Sequence, residues 1–185
     1  MILKKHLPIL FSLLLFVLIA PAQTRYFTKT AKITFFSEAP LEDIQAINKT
    51  ASAVLDSKTG AIQFSVLMKG FEFEKAMMQE HFNENYVESD KFPKAEFKGT
   101  VLNNSEIDYA KPGIYKANVK GQLTIHGVTK DIEANGNIVV NADHLKAESV
   151  FNVLVADYNI KVPAIVKDNI AKKIKVTVDA KLETL

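Results

Sequence analysis

The alternation of apolar and polar residues in two consecutive segments decides the fold. Residues 115–125 read YKANVKGQLTI and residues 128–140 read VTKDIEANGNIVV, with only His126 and Gly127 between them. Nearly every second residue in each segment is apolar or small, and its neighbours are mostly polar. This period of two is typical of β-strands with one buried and one solvated face. We therefore predict two strands joined by a turn at His126-Gly127.

The same period extends over most of the chain. Residues 173–183 alternate as regularly, and weaker patterns predict strands at 25–36, 48–56, 61–69, 94–103 and 145–156. Eight antiparallel strands in one domain form either a closed barrel or a two-sheet sandwich. Small residues at inward positions favour a barrel with room for one small ligand. These residues are Ala31, Ala51, Ala53, Ala95, Gly99, Ala117, Gly121, Ala134, Gly136, Ala147 and Ala180.

One segment interrupts the strand pattern. Residues 75–83 contain good helix formers, and Met78 and Phe82 are spaced i and i+4, which predicts a short helix between strands 3 and 4. Residues 85–93 are expected to form a loop, and residues 158–169 form a second irregular region.

The N-terminal residues 1–22 have the pattern of a secretory signal peptide. Lys4 and Lys5 precede an apolar run, and Ala20-Pro21-Ala22 supplies small residues for cleavage after Ala22. The run is too short for a comfortable membrane span, which needs about 20 residues. We therefore expect a periplasmic or secreted protein whose single domain is residues 23–185, with no stable membrane span after cleavage.

Composition excludes several classes of function. The 185 residues include no cysteine, which excludes disulfides, thiolate metal sites and cysteine nucleophiles. Without Lys4 and Lys5 the chain has 21 basic and 21 acidic residues. It therefore lacks the excess of positive charge with which proteins bind nucleic acid. Nucleophile-elbow, phosphate-loop and zinc-protease motifs are absent from the sequence, and His81 lacks a second histidine four residues on. We predict a protein that is not an enzyme and has neither a catalytic residue, a metal site nor a cofactor.

Three blocks of sequence resemble the YceI-like family of exported lipid-binding proteins. They are MQEHFNENY at 78–86, ESDKFPKAEFKG at 88–99 and GQLTIHGVTK at 121–130. The resemblance implies an all-β fold, an eight-stranded antiparallel β-barrel similar to lipocalins, with an elongated apolar interior. It further implies that the interior holds a polyisoprenoid, an isoprenoid quinone or a fatty-acid derivative. Many family members carry an Arg-Asp pair where this chain has Met78-Gln79-Glu80.

Two functional hypotheses follow, and both stay open at the level of sequence. The first is a periplasmic binding or carrier protein with a long-chain lipid or isoprenoid as its partner. The second is an interaction barrel with a filled interior that acts through its surface in envelope stress. A homodimer is compatible with either hypothesis.

The predicted ligand-binding residues are apolar and come from the inward strand faces and the helical segment. A flexible mouth and a simple plug of the barrel end are equally good interpretations of six residues: Met68, Phe71, Phe73, Met77, Met78 and Phe82. Lys161, Lys167, Lys172 and Lys173 either approach an anionic surface or belong to a solvated loop, and the loop is favoured because the net charge is zero. The full pocket set is Phe64, Val66, Met68, Met77, Met78, Phe82, Phe97, Val119, Leu123, Phe151 and Val153.

Overall fold

Nine β-strands and one short α-helix form the part of the chain that the computed structural model describes, residues 25–185. The predicted signal peptide at residues 1–22 lies outside these described residues. Within them, no helix is long and apolar enough to cross a membrane. The elements are β1 (Arg25–Glu38), β2 (Asp43–Asp56), β3 (Ala61–Leu67), β4 (Phe71–Phe73), α1 (Ala76–His81), β5 (Lys94–Val101), β6 (Gly113–Ile125), β7 (Val128–Val140), β8 (Leu145–Leu154) and β9 (Lys173–Thr184).

The eight long strands close into an antiparallel barrel. Their order is β1-β2-β3-β5-β6-β7-β8-β9, and β9 pairs again with β1. The barrel rather than the sandwich is therefore the solution that this chain adopts. Strands β6 and β7 pair over their whole length from Gly113–Val140 to Ile125–Val128, which confirms the hairpin predicted at His126-Gly127. Both turn residues have positive φ, 50° and 72°, which glycine accepts freely and histidine at some cost.

The short strand β4 was not predicted, and its origin lies in a buried asparagine. We expected one strand over 61–69, but β3 ends at Leu67, a 3₁₀ turn spans Met68–Gly70, and β4 follows on the same edge of β2. The fully buried Asn48 donates from Nδ2 to the Leu67 carbonyl at 2.8 Å and accepts from the Thr50 backbone. A Cβ on Gly70 would lie 2.7 Å from Asn48 Nδ2, so the turn requires glycine.

Asn48 also explains why the predicted start of β2 at residue 48 was wrong. The strand begins at Asp43, and its inner face carries Ala46 and Asn48 while Ile47 is only half-buried. Residues 43–46 alternate, but the buried positions change from even numbers (Ala46, Asn48) to odd numbers (Ala51, Ala53), so the alternation does not continue in phase across residue 48.

The two ends of the barrel differ. At one end, which we call the closed end, the turns 56–61 and 140–145 and the loop 101–113 cover the fully buried side chains of Leu55, Val101, Leu145 and Leu182. Tyr109 from that loop donates its hydroxyl to Asn104 Oδ1 at 2.8 Å, and burial raises its pKa to about 12. At the other end, the open end, are the short connections 39–42 and 126–127 and the two long ones, 68–93 and 155–172.

Candidate functional site

An apolar cavity runs from the open end into the barrel. Its volume is about 570 Å³, within the range of roughly 300–1,000 Å³ that is usual for small-molecule sites. Ile62, Ala117, Ile138 and Ala147 line its inner part, and the wall is almost entirely apolar. The interior is therefore not filled by the protein's own side chains.

All eleven residues predicted from the sequence line this cavity. They come from six elements and the 3₁₀ turn at 68–70, so the fold brings together positions up to 89 residues apart in sequence. Their role in holding a ligand stays a prediction. The residues are Phe64, Val66, Met68, Met77, Met78, Phe82, Phe97, Val119, Leu123, Phe151 and Val153.

The small inward residues contribute to the cavity only in part. Five of the eleven border it: Ala95, Ala117, Ala134, Gly136 and Ala147. Gly99 and Gly121 are register partners on β5 and β6, and the ring of Phe97 occupies the space that their side chains would need. The two glycines therefore allow a phenylalanine to form the cavity wall inside a narrow barrel.

Four aromatic rings attach the helical segment to the barrel. Phe35 on β1 contacts Phe71, Phe73 and Phe82, with ring centroids 5.4–5.5 Å apart, and Phe73 lies 5.1 Å from Phe82. Phe82 begins a π-helical turn, Phe82–Tyr86, that continues α1 beyond the predicted end at residue 83. Since all four rings also border the cavity, this cluster both packs the open end and forms part of the wall.

The largest group of lining residues missed from the sequence lies in the segment 155–172. We predicted an irregular region over residues 158–169, after a strand ending at 156, and assigned no pocket residue to it. It contributes Ile160, Val162, Val166 and Ile170, whose spacing lacks the regular period of a strand or a helix. Strands β1 and β9 add Ile33, Ile174, Val176 and Val178, and the alternation of β9 was the available signal for the last three.

The β7–β8 ladder stops halfway along the barrel. Pairing runs from Val140–Leu145 to Gly136–Ser149 and then ends, although both strands continue toward the open end. Ser149 Oγ donates to the Asn135 carbonyl at 2.8 Å at the point where the ladder ends. Beyond this point Ile132, Ala134, Phe151 and Val153 border the cavity, so the wall there consists of side chains rather than of a continuous ladder.

One ion pair lies at the mouth of the cavity. Lys75, the N-cap of α1, donates from Nζ to Glu42 Oε1 at 2.7 Å. This hydrogen bond lowers the pKa of Glu42 and raises the pKa of Lys75, and the side chain of Asn169 also contacts Glu42. The pair therefore connects the three segments that surround the mouth, and all three side chains border the cavity.

A second polar contact fixes the end of the connection 68–93 to the β6–β7 turn. His126 contacts the Tyr158 carbonyl through Nδ1 at 3.0 Å and Glu88 Oε2 through Nε2 at 2.6 Å. A carbonyl only accepts, so Nδ1 donates and a proton lies between Nε2 and the carboxyl group. The side chain of His126 is largely buried, and its ring lies edge-on to Phe92 at 4.6 Å. This residue, predicted as a turn residue, thus joins three parts of the open end.

We expect the substitution Glu88→Gln to destabilise the protein in a pH-dependent way. The hydrogen bond from His126 lowers the pKa of Glu88 below its ordinary value of 4.5. A carboxyl group whose pKa falls on folding stabilises the fold above its ordinary pKa, and this contribution disappears as the pH falls through the folded value. The stability difference between wild type and E88Q should therefore be largest at neutral pH and shrink below pH 4.5.

Urea denaturation over a pH series measures this difference. The exposed Glu84, in the same connection 68–93, supplies the control variant Glu84→Gln, which should change stability little at any pH. A stability difference for E88Q that is equal at neutral and acid pH would show that the carboxylate–His126 contact does not stabilise the fold.

Comparisons with known proteins support the fold. A polyisoprenoid binding domain from Saccharophagus degradans, implicated in plant cell wall breakdown, superposes with a TM-score of 0.75 at 14% identity, over 88% of this chain and 99% of that chain. BcnA from Burkholderia cenocepacia superposes with a TM-score of 0.68 at 18% identity, over 83% and 96%. No curated protein matches the chain in sequence.

The family assignment comes from the sequence itself. A family model described as the YceI-like domain matches residues 22–182, nearly the whole chain. This match includes the three blocks at 78–86, 88–99 and 121–130 on which the resemblance was based. The prediction of the family is therefore confirmed, and the chain belongs to the YceI-like family.

Proposed function

We propose that this protein binds and carries a long-chain amphiphile of the cell envelope inside its barrel. The candidates are a polyisoprenoid, an isoprenoid quinone and a fatty-acid derivative. The observation that carries the proposal is the apolar cavity of about 570 Å³, which is closed at one end by buried leucines and reaches the mouth segments at the other. The name of the Saccharophagus degradans domain, which refers to polyisoprenoid binding, agrees with this class of ligand.

The cavity suits a flexible chain better than a rigid polar molecule. Burial of apolar chain contributes about 0.8 kcal/mol per methylene group, and the wall offers aliphatic, aromatic and thioether groups along its length. Met68, Met77 and Met78 adapt their shape to an irregular chain at low cost. The affinity should therefore come mainly from chain burial.

The polar head group belongs at the mouth in this proposal. Glu42, Lys75 and Asn169 meet there, and both charges of the ion pair are available to a hydroxyl, carbonyl or phosphate group near the end of the cavity. The role is binding without catalysis, carried out in the periplasm or outside the cell after removal of residues 1–22. An interaction barrel with a filled interior is the weaker hypothesis, because a filled barrel would leave no such volume.

Mass spectrometry of an organic-solvent extract tests the proposal. The mature chain, residues 23–185, is purified without detergent from the compartment to which it is exported, and the extract is compared with that of an unrelated exported protein. We expect one isoprenoid, quinone or acyl species at about one molecule per protein. An extract without such a species, together with no uptake of added polyisoprenol, quinone or fatty acid, would contradict the proposal.

A further inference from the structure

Three large apolar side chains project into solvent around the mouth of the cavity. Leu41 is 72% exposed, Met77 66% and Ile165 91%. Each lies on a different mouth segment: the connection 39–42, the start of α1, and the 3₁₀ turn Ala164–Val166. Exposed apolar side chains that stand together usually mark a contact surface.

Specific contacts hold these three segments next to one another. The Leu41 backbone N–H donates to the Asp168 carbonyl at 3.1 Å, which places the connection 39–42 beside the segment with Ile165. The Glu42–Lys75 ion pair places the same connection beside the start of α1, two residues before Met77. The three side chains therefore belong to one rim, which we call the apolar rim (Leu41, Met77, Ile165).

The segment that carries Ile165 is also basic. Lys161, Lys167, Lys172 and Lys173 are all exposed, and none forms an ion pair with another residue of the described chain, 25–185. Asp157 and Asp168 are the only acidic residues from 155 to 173, so the four lysines leave this stretch with a net positive charge. The connection 68–93, which carries Met77, holds six acidic residues against the three lysines Lys69, Lys75 and Lys91. The positive charge is thus concentrated on the side of Ile165.

We propose that the open end docks on an anionic membrane surface through the apolar rim and these four lysines. Apolar side chains flanked by lysines suit the boundary between lipid head groups and acyl chains, where the apolar groups insert and the lysines attract anionic lipids. A protein partner would need a complementary solid surface, whereas a bilayer accommodates separate projecting side chains. The inference rests on the proposed function in one respect: docking here would place the cavity mouth directly over the lipids.

Sedimentation with vesicles tests this docking. The mature protein is mixed with vesicles of phosphatidylcholine alone and of phosphatidylcholine with phosphatidylglycerol, at low and at physiological salt. We expect binding to the anionic vesicles, weaker binding to the neutral ones, and a loss of binding as salt increases. Ile165→Glu should reduce binding to anionic vesicles about tenfold or more, because it places a charge where the apolar group inserts.

The chain offers a matched control at its closed end. Ile114 on β6 is 73% exposed, and Ile114→Glu makes the same chemical change far from the mouth. This variant should bind vesicles as the wild type does. Replacing Lys161, Lys167, Lys172 and Lys173 together by glutamine should remove the preference for anionic vesicles. Both Ile165 and Ile114 are exposed, so neither substitution should alter the thermal unfolding temperature.

Each outcome decides the proposal. Wild-type protein that binds neither vesicle type, or I165E and I114E variants that bind equally, would overturn it. Binding that is independent of anionic lipid and of salt would overturn the role of the lysines. Failure of the docking remains distinct from failure of the carrier proposal, because Ile165 does not border the cavity and I165E should still carry its lipid.

Discussion

Replacing Val119 by tryptophan should displace the lipid from the barrel while the fold remains. Val119 lies on β6 at mid-barrel, borders the cavity and pairs in register with Ala134 of β7, a small residue that also borders it. An indole ring at this position would fill part of the cavity in which we place the ligand chain. If it excludes four methylene groups, the loss at about 0.8 kcal/mol each is about 3 kcal/mol, or about 100-fold in affinity.

The absence of tryptophan from the chain makes this experiment informative. The new indole is the sole tryptophan, so its emission reports whether it lies inside the cavity. Asn118→Trp supplies the control, because Asn118 is the exposed neighbour on the outer face of the same strand. The V119W variant should emit at short wavelength and contain little lipid, whereas N118W should emit at long wavelength and contain the wild-type amount.

A folded V119W protein with a buried indole and unchanged lipid content would contradict the assignment of the cavity as the binding site. Circular dichroism and the thermal unfolding temperature establish that the variant is folded. The result would then place the lipid elsewhere on the protein.

The period of two was sufficient to predict that eight long strands exist and to identify seven of the pocket residues on them. Inward orientation follows from alternation, and a closed barrel directs every inward side chain toward one interior. For this reason residues such as Phe64 on β3 and Val153 on β8 were predicted correctly as neighbours of one space, although they lie far apart in sequence. The sequence could not show that this space is a cavity, because volume depends on how the rings pack.

The features that sequence reasoning missed depend on long-range contacts. Asn48 was not recognised as an inner residue, because its burial depends on the Leu67 carbonyl, 19 residues away. The segment 155–172 forms part of the cavity wall although it lacks the period of a strand or a helix. The role of Gly99 and Gly121 was partly misjudged for the same reason: they provide room for the Phe97 ring, not directly for a ligand.

This last correction leads to the second large effect that we expect: Gly121→Ala should strongly destabilise the barrel. A Cβ at Gly121 would collide with the Lys98 carbonyl and lie 2.5 Å from Gly99 Cα and 2.7 Å from Cζ of the Phe97 ring. Two of these atoms are backbone atoms of the paired strand β5, which cannot move without breaking the β5–β6 ladder. We expect a loss of about 3 kcal/mol or more in the free energy of unfolding.

Gly113 on the same strand is the matched control for this prediction. A Cβ there would lie no closer than 3.3 Å to the flexible Tyr115 ring, and its φ is not in the left-handed region. Gly113→Ala should therefore change stability by less than about 1 kcal/mol, because the Tyr115 ring has to shift only slightly and alanine restricts the unfolded chain. Urea denaturation followed by circular dichroism measures both variants. If G121A and G113A had the same free energy of unfolding, the close approach of β5 and β6 would not be what prevents a side chain at residue 121. The wall that Phe97 forms would then require another explanation than the space left by the two glycines.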